Sequence, residues 1–245
     1  MYPVERVRGI YPSEWEGREQ WFTKMLTRPQ VGAIGCYLSQ ESIIEQALIY
    51  KKHAWVMEDD LVFCSDFKKR IEYIDRWIRS GSGYDFLGQP VVGERDWDII
   101  WLGGTFHVGG KGPYWHTDTI GRDAELTDDP RMIRTYGSFC TYCYIINRNS
   151  IEKVLNLLDE FAPQSIGIDH SMINISPKLN TFAFVPGCCK QYDNLSDQIP
   201  TRKEETTFSR FEKLNGTIEN SRYWWQDKME DFDPLTFDWA EAKVR

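Results

Sequence analysis

Three consecutive carboxylates interrupt an apolar stretch and constrain the fold of this chain more than any other feature. Four apolar residues, Ala54–Met57, have the length of a short buried strand. The carboxylates Glu58, Asp59 and Asp60 follow directly, and apolar residues resume at Leu61. Three adjacent negative charges resist burial unless a cation or a donor network compensates them. The pattern predicts a divalent metal that carries a phosphate at a strand end, where open α/β folds bind ligands, and the alternative is an acidic turn facing water.

Length and composition fit one large α/β domain, or one domain with an elaborated tail, with a substantial hydrophobic core. The chain has 245 residues, of which 41% are hydrophobic, and this share argues against global disorder. We find no apolar run long enough to span a bilayer and no signal-peptide core at the N-terminus, so we expect no membrane span and a cytoplasmic location. A net charge of −8 opposes broad binding to nucleic acid or to an anionic membrane.

The six cysteines permit either a zinc site or buried free thiols. Cys140 and Cys143 have the Cys-x-x-Cys spacing of a zinc ligand pair, and Cys188 and Cys189 are adjacent. However, the residues around Cys140 and Cys143 have the composition of a strand, in which positions three apart point to opposite faces. We therefore expect buried free thiols rather than a shared metal.

Along the chain, segments in which apolar residues have the spacing of a strand alternate with segments in which they have the spacing of a helix. The predicted strands are residues 54–57, 98–104, 136–147 and 181–187. A compact turn is expected at Gly35, and helices are expected to start at Ser39, after Ser65 and after Asn149. Strands and helices in alternation predict a mostly parallel central sheet flanked by helices. Residues 105–135 are predicted to be a long loop, which is typical of a lid or a binding loop.

Several short signals occur in a fixed order along the chain. They are Gly35-Cys36-x-x-Ser39, the Glu58-Asp59-Asp60 motif, the segment from Asp98 to Gly104, the strand that contains Tyr144, then Asp169, and finally Gln191 with Ser196 and Asp197. This order resembles the family 25 glycosyltransferases, which include lipooligosaccharide and collagen galactosyltransferases. The resemblance covers roughly residues 30–198, and its most specific parts are the Gly-Cys-x-x-Ser segment and the Glu-Asp-Asp motif.

The resemblance implies a GT-A fold, which is a Rossmann-like α/β fold with a mostly parallel central sheet. It also implies a nucleotide-sugar donor, a divalent metal and inversion at the anomeric carbon. The catalytic domain would be residues 1–198, and residues 199–245 would be an aromatic and charged extension that packs on the core or mediates a homodimer. The chain departs from the family pattern in two ways: Gln40 stands where His is usual, and the first strand of the family is missing or trimmed.

The chemistry of a diphosphate leaving group assigns roles to the acidic motif. A metal held by carboxylates neutralises the charge that develops on this group, and hard oxygen ligands favour Mn²⁺ or Mg²⁺. If the motif is extended, Glu58 and Asp60 point to one side and Asp59 to the other. We expect Asp60 to be the direct metal ligand, Glu58 to contact metal-bound water or ribose, and Asp59 to hold the nucleotide or to brace the loop.

Inversion also requires a base that deprotonates the acceptor hydroxyl. Asp169 is the candidate because apolar residues flank it at the start of a short predicted helix, and the alternative is a helix N-cap without chemistry. Asp98 and Asp197 are its rivals. The further expected donor contacts are Gly35, Ser39, Gly103 and Gly104. The expected acceptor contacts or neighbours of the site are Asp98, His170, Gln191, Ser196 and Asp197.

The expected activity is a metal-dependent, inverting transfer of a sugar from a nucleotide-diphosphate donor, with UDP as the expected nucleotide, to a saccharide hydroxyl. The protein would then be located in the cytoplasm of a bacterium or of a virus-infected cell. One alternative is a viral enzyme that glycosylates hydroxymethyl pyrimidines in DNA. For that enzyme the cations that meet phosphates would be Arg202, Lys203, Arg210, Lys213 and Arg222, unless they form a solvated helix face. The apparent loss of the first strand suggests a further alternative, a non-catalytic sugar- or nucleotide-binding domain. A metal-dependent phosphohydrolase is a third alternative.

Overall fold

The computed structural model describes residues 28–59, 61–84, 90–93, 95–106, 125–129, 131–161, 167–185 and 187–191. Within these ranges the elements are α1 (Arg28–Tyr50), β1 (Ala54–Met57), β2 (Leu61–Phe63), α2 (Phe67–Arg79), β3 (Gly81–Tyr84), β4 (Pro90–Gly93), β5 (Ile99–Phe106), β6 (Glu125–Leu126), β7 (Met132–Arg134), β8 (Ser138–Ile146), α3 (Ile151–Phe161), α4 (Ile168–Ile175), a 3-10 turn (Ser176–Lys178), β9 (Thr181–Phe184) and β10 (Cys189–Gln191). None of the helices described here is both long enough and apolar enough to cross a membrane.

A six-stranded mixed sheet forms the centre of the molecule, in the order β1-β8-β5-β9-β7-β6. Only β5 and β9 pair in parallel, and the other neighbouring strands of this sheet are antiparallel. The α/β class is as expected, but the prediction of a mostly parallel sheet is wrong. The reason is that β8 inserts between β1 and β5, so these two strands run in the same direction without pairing with each other. Two further antiparallel pairs, β2 with β10 and β3 with β4, form separate two-stranded sheets.

Helices cover both faces of the sheet because its central strands are apolar on both sides. Val56, Trp101 and Tyr144 pack on one face with buried residues of α1, α3 and α4. Cys143 packs on the opposite face with Trp77 of α2. Successive residues of a strand point to opposite faces, so each strand contributes to both cores. The sheet is therefore the middle of three layers.

The first helix is longer than the sequence indicated. The expected turn at Gly35 and the expected helix start at Ser39 are both wrong, because α1 runs through them without interruption. A glycine inside a helix costs about 1 kcal/mol relative to alanine, and burial of Ile34, Tyr37 and Ile44 against the sheet outweighs this cost. The Ser39 hydroxyl donates to the Gly35 carbonyl oxygen over 2.7 Å, one helical turn back, instead of capping a helix.

The remaining predicted elements are confirmed with small shifts, except in the segment 105–135. The strands β1, β5, β8 and β9 and the helices α2 and α3 occur where apolar periodicity placed them. Asp66 rather than Ser65 is the N-cap residue of α2. Residues 107–124 lie outside the described ranges, but β6 and β7 form an antiparallel pair within the segment that was expected to be one loop. Because β7 pairs with β9, this part of the segment belongs to the sheet.

Both ends of the chain lie outside the described ranges. Residues 1–27 include the region where a first strand was expected to be missing or trimmed, and residues 192–245 include the proposed extension. The domain boundary near residue 198 and the homodimer through the C-terminal segment therefore stay predictions. The same holds for the basic residues that were considered as phosphate contacts.

Candidate functional site

The edge strand β1 carries Glu58 to the side of the sheet that α1 covers. Ala54 and Val56 are buried on that side, and Glu58 follows at the same alternation, so its side chain points the same way. The backbone N–H of Glu58 donates to the carbonyl oxygen of Tyr142 over 2.9 Å. Pairing with β8 thus continues past the end of β1 and fixes the backbone of the first acidic residue.

Two side chains of α1 contact the Glu58 carboxylate. The Nε2 of Gln40 donates to Oε1 of Glu58 over 3.1 Å, and the Sγ of Cys36 lies 3.6 Å from the same oxygen. Cys36 and Gln40 are four positions apart, so they lie on one face of the helix. Their side chains also meet each other, since Gln40 Nε2 lies 3.6 Å from Cys36 Sγ. The carboxylate is therefore held from the helix side by a buried amide and a thiol.

Gln40 connects the acidic motif to the central strand β8. The hydroxyl of Tyr144 donates to Gln40 Oε1 over 2.9 Å, and Gln40 Nε2 lies 3.3 Å from the carbonyl oxygen of Thr141. Gln40 is 4% exposed and Tyr144 is fully buried. The sequence marked Gln40 only as a departure from the family pattern, and it indicated no role for Tyr144 or Cys36. The spacing of Cys36 and Gln40 was the available signal, but it has meaning only once α1 is known to be one helix.

Asp169 lies at the start of α4, as expected. The N-cap residue of α4 is Gly167, so the alternative that Asp169 is the N-cap is wrong. Its Oδ1 accepts the backbone N–H of His170 over 2.9 Å, and a negative charge in the first turn is favourable there. A Cβ atom at Gly167 would lie 3.1 Å from this Oδ1 and 3.9 Å from the Cβ of Ala33, which shows that the start of α4 lies against α1.

The Cys36 thiol lies within the electrostatic influence of both Glu58 and Asp169. Desolvation and then the charges of these two carboxylates raise the pKa of the Cys36 thiol well above its usual range. The thiol is therefore neutral and acts as a donor rather than as a nucleophile. Burial, above all, and the nearby Glu58 carboxylate raise the pKa of Tyr144, so its phenol stays protonated and can donate to Gln40. A residue predicted for the metal side and the residue predicted as the base thus meet at α1.

Gln191 also lies beside the acidic motif. Strand β10 pairs with β2 and places the backbone of Gln191 opposite Leu61, the residue that follows Asp60. The side chain of Gln191 lies outside what the structure describes, as do Ser196 and Asp197. Their predicted contacts with the acceptor stay predictions.

Asp98 lies at the opposite end of the sheet. Across β8, Ile99 is level with Ala54, so Asp98 precedes the strands while Glu58 follows the end of β1. Five residues of strand separate the two levels, which corresponds to roughly 16 Å. The Oδ2 of Asp98 accepts the backbone N–H of Asn180 over 2.7 Å and the Nζ of Lys153 over 3.0 Å. These bonds tie the sheet to α3 and β9, and they do not bring Asp98 to the other site residues.

The predicted donor glycines Gly103 and Gly104 lie in a buried and irregular part of β5. A Cβ atom at Gly103 would lie 2.5 Å from Cε2 of Tyr142 and 2.7 Å from the carbonyl oxygen of Cys189, so close packing alone requires glycine. Gly104 has a φ of 146°, a conformation that side chains other than glycine rarely adopt. Packing and backbone geometry account for both glycines, and their donor contact stays a prediction.

The described part of the acidic motif fits a hard divalent cation in its donor chemistry. Glu58 supplies carboxylate oxygens, and Asp59 is exposed next to it in sequence. His170 is half-buried beside Asp169 on α4. Asp60, the predicted direct ligand, lies outside the described residues. Among the side chains that are described, no group of three or more His, Cys, Asp and Glu residues has the arrangement of a metal site. The metal site, with Asp60 as its direct ligand, stays a prediction.

The cysteines are free thiols where the structure describes them. Cys64, Cys143, Cys188 and Cys189 are buried, and Cys36 is half-buried. Burial is the first cause that raises the pKa of Cys188, and its neighbours Cys64 and Cys143 add to the effect. The expectation of free thiols is confirmed for these residues, and the side chain of Cys140 lies outside the description.

Glu58, Gln40 and Cys36, with Tyr144 behind them and Asp169 beside them, form the candidate site of this α/β protein. Because comparisons with known proteins found no match, the geometry of this site is the basis for assigning a function. A scan against protein-family models found no match for the chain, and searches of curated proteins and of solved structures found none either.

Proposed function

We propose that this protein is a metal-dependent, inverting glycosyltransferase of the family 25 type, which moves a sugar from a nucleotide-diphosphate donor, with UDP as the expected nucleotide, to a hydroxyl of a saccharide acceptor. The observation that supports the proposal is that both carboxylates lie at α1: Glu58 Oε1 is 3.6 Å from Cys36 Sγ, and the start of α4, with Asp169, lies against Ala33. One carboxylate comes from the end of β1 and the other from the start of α4. A transferase of this kind needs two acidic groups in different roles, supplied by separate elements.

The acidic motif would serve the leaving group. A divalent cation such as Mn²⁺ or Mg²⁺, when bound, neutralises the negative charge that develops on the nucleoside diphosphate. Glu58 presents a carboxylate whose direction is set by Gln40 and Cys36. Asp60 would complete the ligand set, and Asp59 would contact the nucleotide. Gln191 would be a further contact of the donor or acceptor, and the pairing of its backbone with Leu61, next to the acidic motif, supports this role.

Asp169 would serve the acceptor. In an inverting transfer the bond from the anomeric carbon to the diphosphate oxygen breaks while the bond to the acceptor oxygen forms on the opposite face of the sugar. The proton of the acceptor hydroxyl passes to the carboxylate of Asp169 as general base. Asp169 occupies the first turn of α4, and its Oδ1 is oriented by the backbone N–H of His170. A carboxylate that is held in this orientation in the first turn of a helix can keep its position during turnover.

A donor-by-acceptor screen read by mass spectrometry tests the proposal. The full chain is incubated with Mn²⁺ and a panel of nucleotide sugars, with saccharides and hydroxymethylated DNA as acceptors, and then with excess EDTA. We expect donor consumption that EDTA abolishes and that Asp60→Ala removes without unfolding the chain. Asp159→Ala, at an exposed position of α3, is the matched control.

The other function classes give different results in the same screen. Unchanged turnover in Asp60→Ala would contradict the proposal. Binding of a nucleotide sugar without any consumption would instead indicate a non-catalytic binding domain, and release of phosphate from simple esters would indicate a phosphohydrolase. Transfer to hydroxymethylated DNA but to no saccharide would keep the enzyme class and change the acceptor.

A further inference from the structure

We propose that Gln40 is a positioning residue, which fixes the direction of the Glu58 carboxylate for a divalent cation by linking it to the hydroxyl of Tyr144. The inference rests on the proposed function, because it assigns a role within the same site. It concerns a residue that the family resemblance marks only as a departure. The Gln40 amide is buried, and its two ends contact groups of opposite hydrogen-bonding character.

The polarity of the hydrogen bonds allows only one orientation of the Gln40 amide. A carboxylate can only accept hydrogen bonds, so the NH₂ group of Gln40 has to face Glu58. The carbonyl end of the amide then faces Tyr144, whose phenol can donate. The distances agree with this assignment, since Nε2 lies 3.1 Å from Glu58 Oε1 and the Tyr144 hydroxyl lies 2.9 Å from Gln40 Oε1. The reversed amide would place two acceptors, Gln40 Oε1 and the Glu58 carboxylate, against each other.

Burial and rigid neighbours hold the amide in that orientation. Gln40 is 4% exposed and lies in the interior of α1, while Tyr144 is fully buried in β8. Nε2 also lies 3.3 Å from the carbonyl oxygen of Thr141, so both of its hydrogens have acceptors. Rotation of the amide would break these contacts at once, in a place where water does not replace them.

The contacts from α1 converge on one oxygen of Glu58. Gln40 Nε2 and Cys36 Sγ both lie against Oε1, at 3.1 Å and 3.6 Å. Two donors on one oxygen set the rotation of the carboxylate group about its terminal bond. Groups that orient a metal-binding carboxylate in this way raise metal affinity because the ligand does not have to be ordered on binding. Gln40 would therefore act on the cation through Glu58.

Four variants of the full chain separate positioning from packing. Gln40→Leu keeps the approximate size and removes every hydrogen bond. Gln40→His restores one donor and one acceptor nitrogen on a planar group. Tyr144→Phe removes only the hydroxyl behind the amide. Gln46→Leu is the matched control, because Gln46 lies on the same helix and its Nε2 lies 3.5 Å from Ser42 Oγ, away from Glu58.

The readout for this inference is Mn²⁺ binding, measured by electron paramagnetic resonance with and without UDP, next to thermal unfolding. We expect Gln40→Leu to weaken Mn²⁺ binding about 10- to 100-fold and Tyr144→Phe to weaken it less. Gln40→His is expected to regain most of the loss, and Gln46→Leu is expected to bind as the wild type does. If Gln40→Leu does not fold, Tyr144→Phe and Gln40→His decide the question.

Three results would overturn the inference: no Mn²⁺ binding by the wild type, equal affinity in the wild type and in Gln40→Leu or Tyr144→Phe, or no recovery in Gln40→His. Donor consumption, measured on the same samples, reports on the proposed function separately. A wild type that binds Mn²⁺ but consumes no nucleotide sugar contradicts the transferase, and the affinity series then still decides whether Gln40 positions Glu58.

Discussion

The Sγ of Cys36 lies 3.6 Å from Oε1 of Glu58, although 22 positions of the chain separate the two residues. Asp169 acts on the same thiol through its charge. The helix α1, the end of β1 and the start of α4 therefore meet at one point. A change in any one of these three elements is expected to reach the other two, because the Cys36 thiol contacts Glu58 and the start of α4 lies against the same helix.

Replacing Asp169 with Asn should separate catalysis from structure. Asn keeps the size of the side chain and an Oδ1 that accepts the His170 N–H, but it is a far weaker base. We expect kcat for sugar transfer to fall about 10²- to 10⁴-fold, with little change in the binding of Mn²⁺ and UDP. Steady-state kinetics and Mn²⁺ titration measure both effects, and Asp159→Asn on α3 is the control. A variant that retains kcat would remove Asp169 from the role of base.

A methyl group at Gly103 should destabilise the sheet. It would lie 2.5 Å from Cε2 of Tyr142 and 2.7 Å from the backbone oxygen of Cys189, so β5, β8 or β10 has to shift. We expect Gly103→Ala to lower the free energy of unfolding by about 1–3 kcal/mol, as measured by urea unfolding. Gly93→Ala is the matched control, because a Cβ at Gly93 meets nothing within 4 Å. Unchanged stability with a raised KM for the donor would instead favour a donor contact at Gly103.

Asp98 should contribute stability that depends on pH. Burial alone would raise the pKa of its carboxyl, but hydrogen bonds from Ser150, Asn180 and Lys153 outweigh burial and lower it. Because the folded pKa lies below the unfolded one, the contribution is present at neutral pH and is lost as the pH falls through the folded pKa. We expect Asp98→Asn to lower the free energy of unfolding at pH 7 by about 1.5–3 kcal/mol, and by less below about pH 4.

Urea unfolding of the wild type and of Asp98→Asn at several pH values measures this difference. Lys153→Met is a useful companion variant, because it removes one partner of Asp98 and leaves the bond from the Asn180 backbone. A difference between wild type and Asp98→Asn that stays constant down to pH 3 would contradict the assignment of a lowered pKa.

The thiol of Cys64 should react slowly in the folded protein. Burial, above all, raises its pKa from the ordinary 9.0 to about 11, although the neighbouring Arg70 opposes the shift. At pH 8 the thiolate fraction is then about a hundredfold below that of an ordinary cysteine, and the thiolate is the reactive form. Alkylation by iodoacetamide, followed for each peptide by mass spectrometry, measures the rate. The same thiol in urea is the control, and equal rates in the two states would contradict burial of Cys64.

Most of the local structure could be predicted from the amino-acid order. Apolar periodicity located β1, β5, β8 and β9, because a buried strand or an amphipathic helix leaves a mark within a few neighbouring residues. The three carboxylates marked the end of β1, and Asp169 was correctly placed at the start of a short helix. These features depend on conformations that residues impose on their near neighbours.

Contacts between segments that are far apart in the sequence could not be predicted in the same way. The order of strands follows from the insertion of β8 between β1 and β5, and the continuity of α1 follows from burial of its apolar face, which overrides its glycines. Gln40 takes its meaning from Glu58 and Tyr144, which lie 18 and 104 positions away. Contacts of such separation are selected by the packing of the whole core, which no single segment encodes. The acidic motif could be recognised in the sequence, but the residues that contact it could be identified only from the tertiary structure.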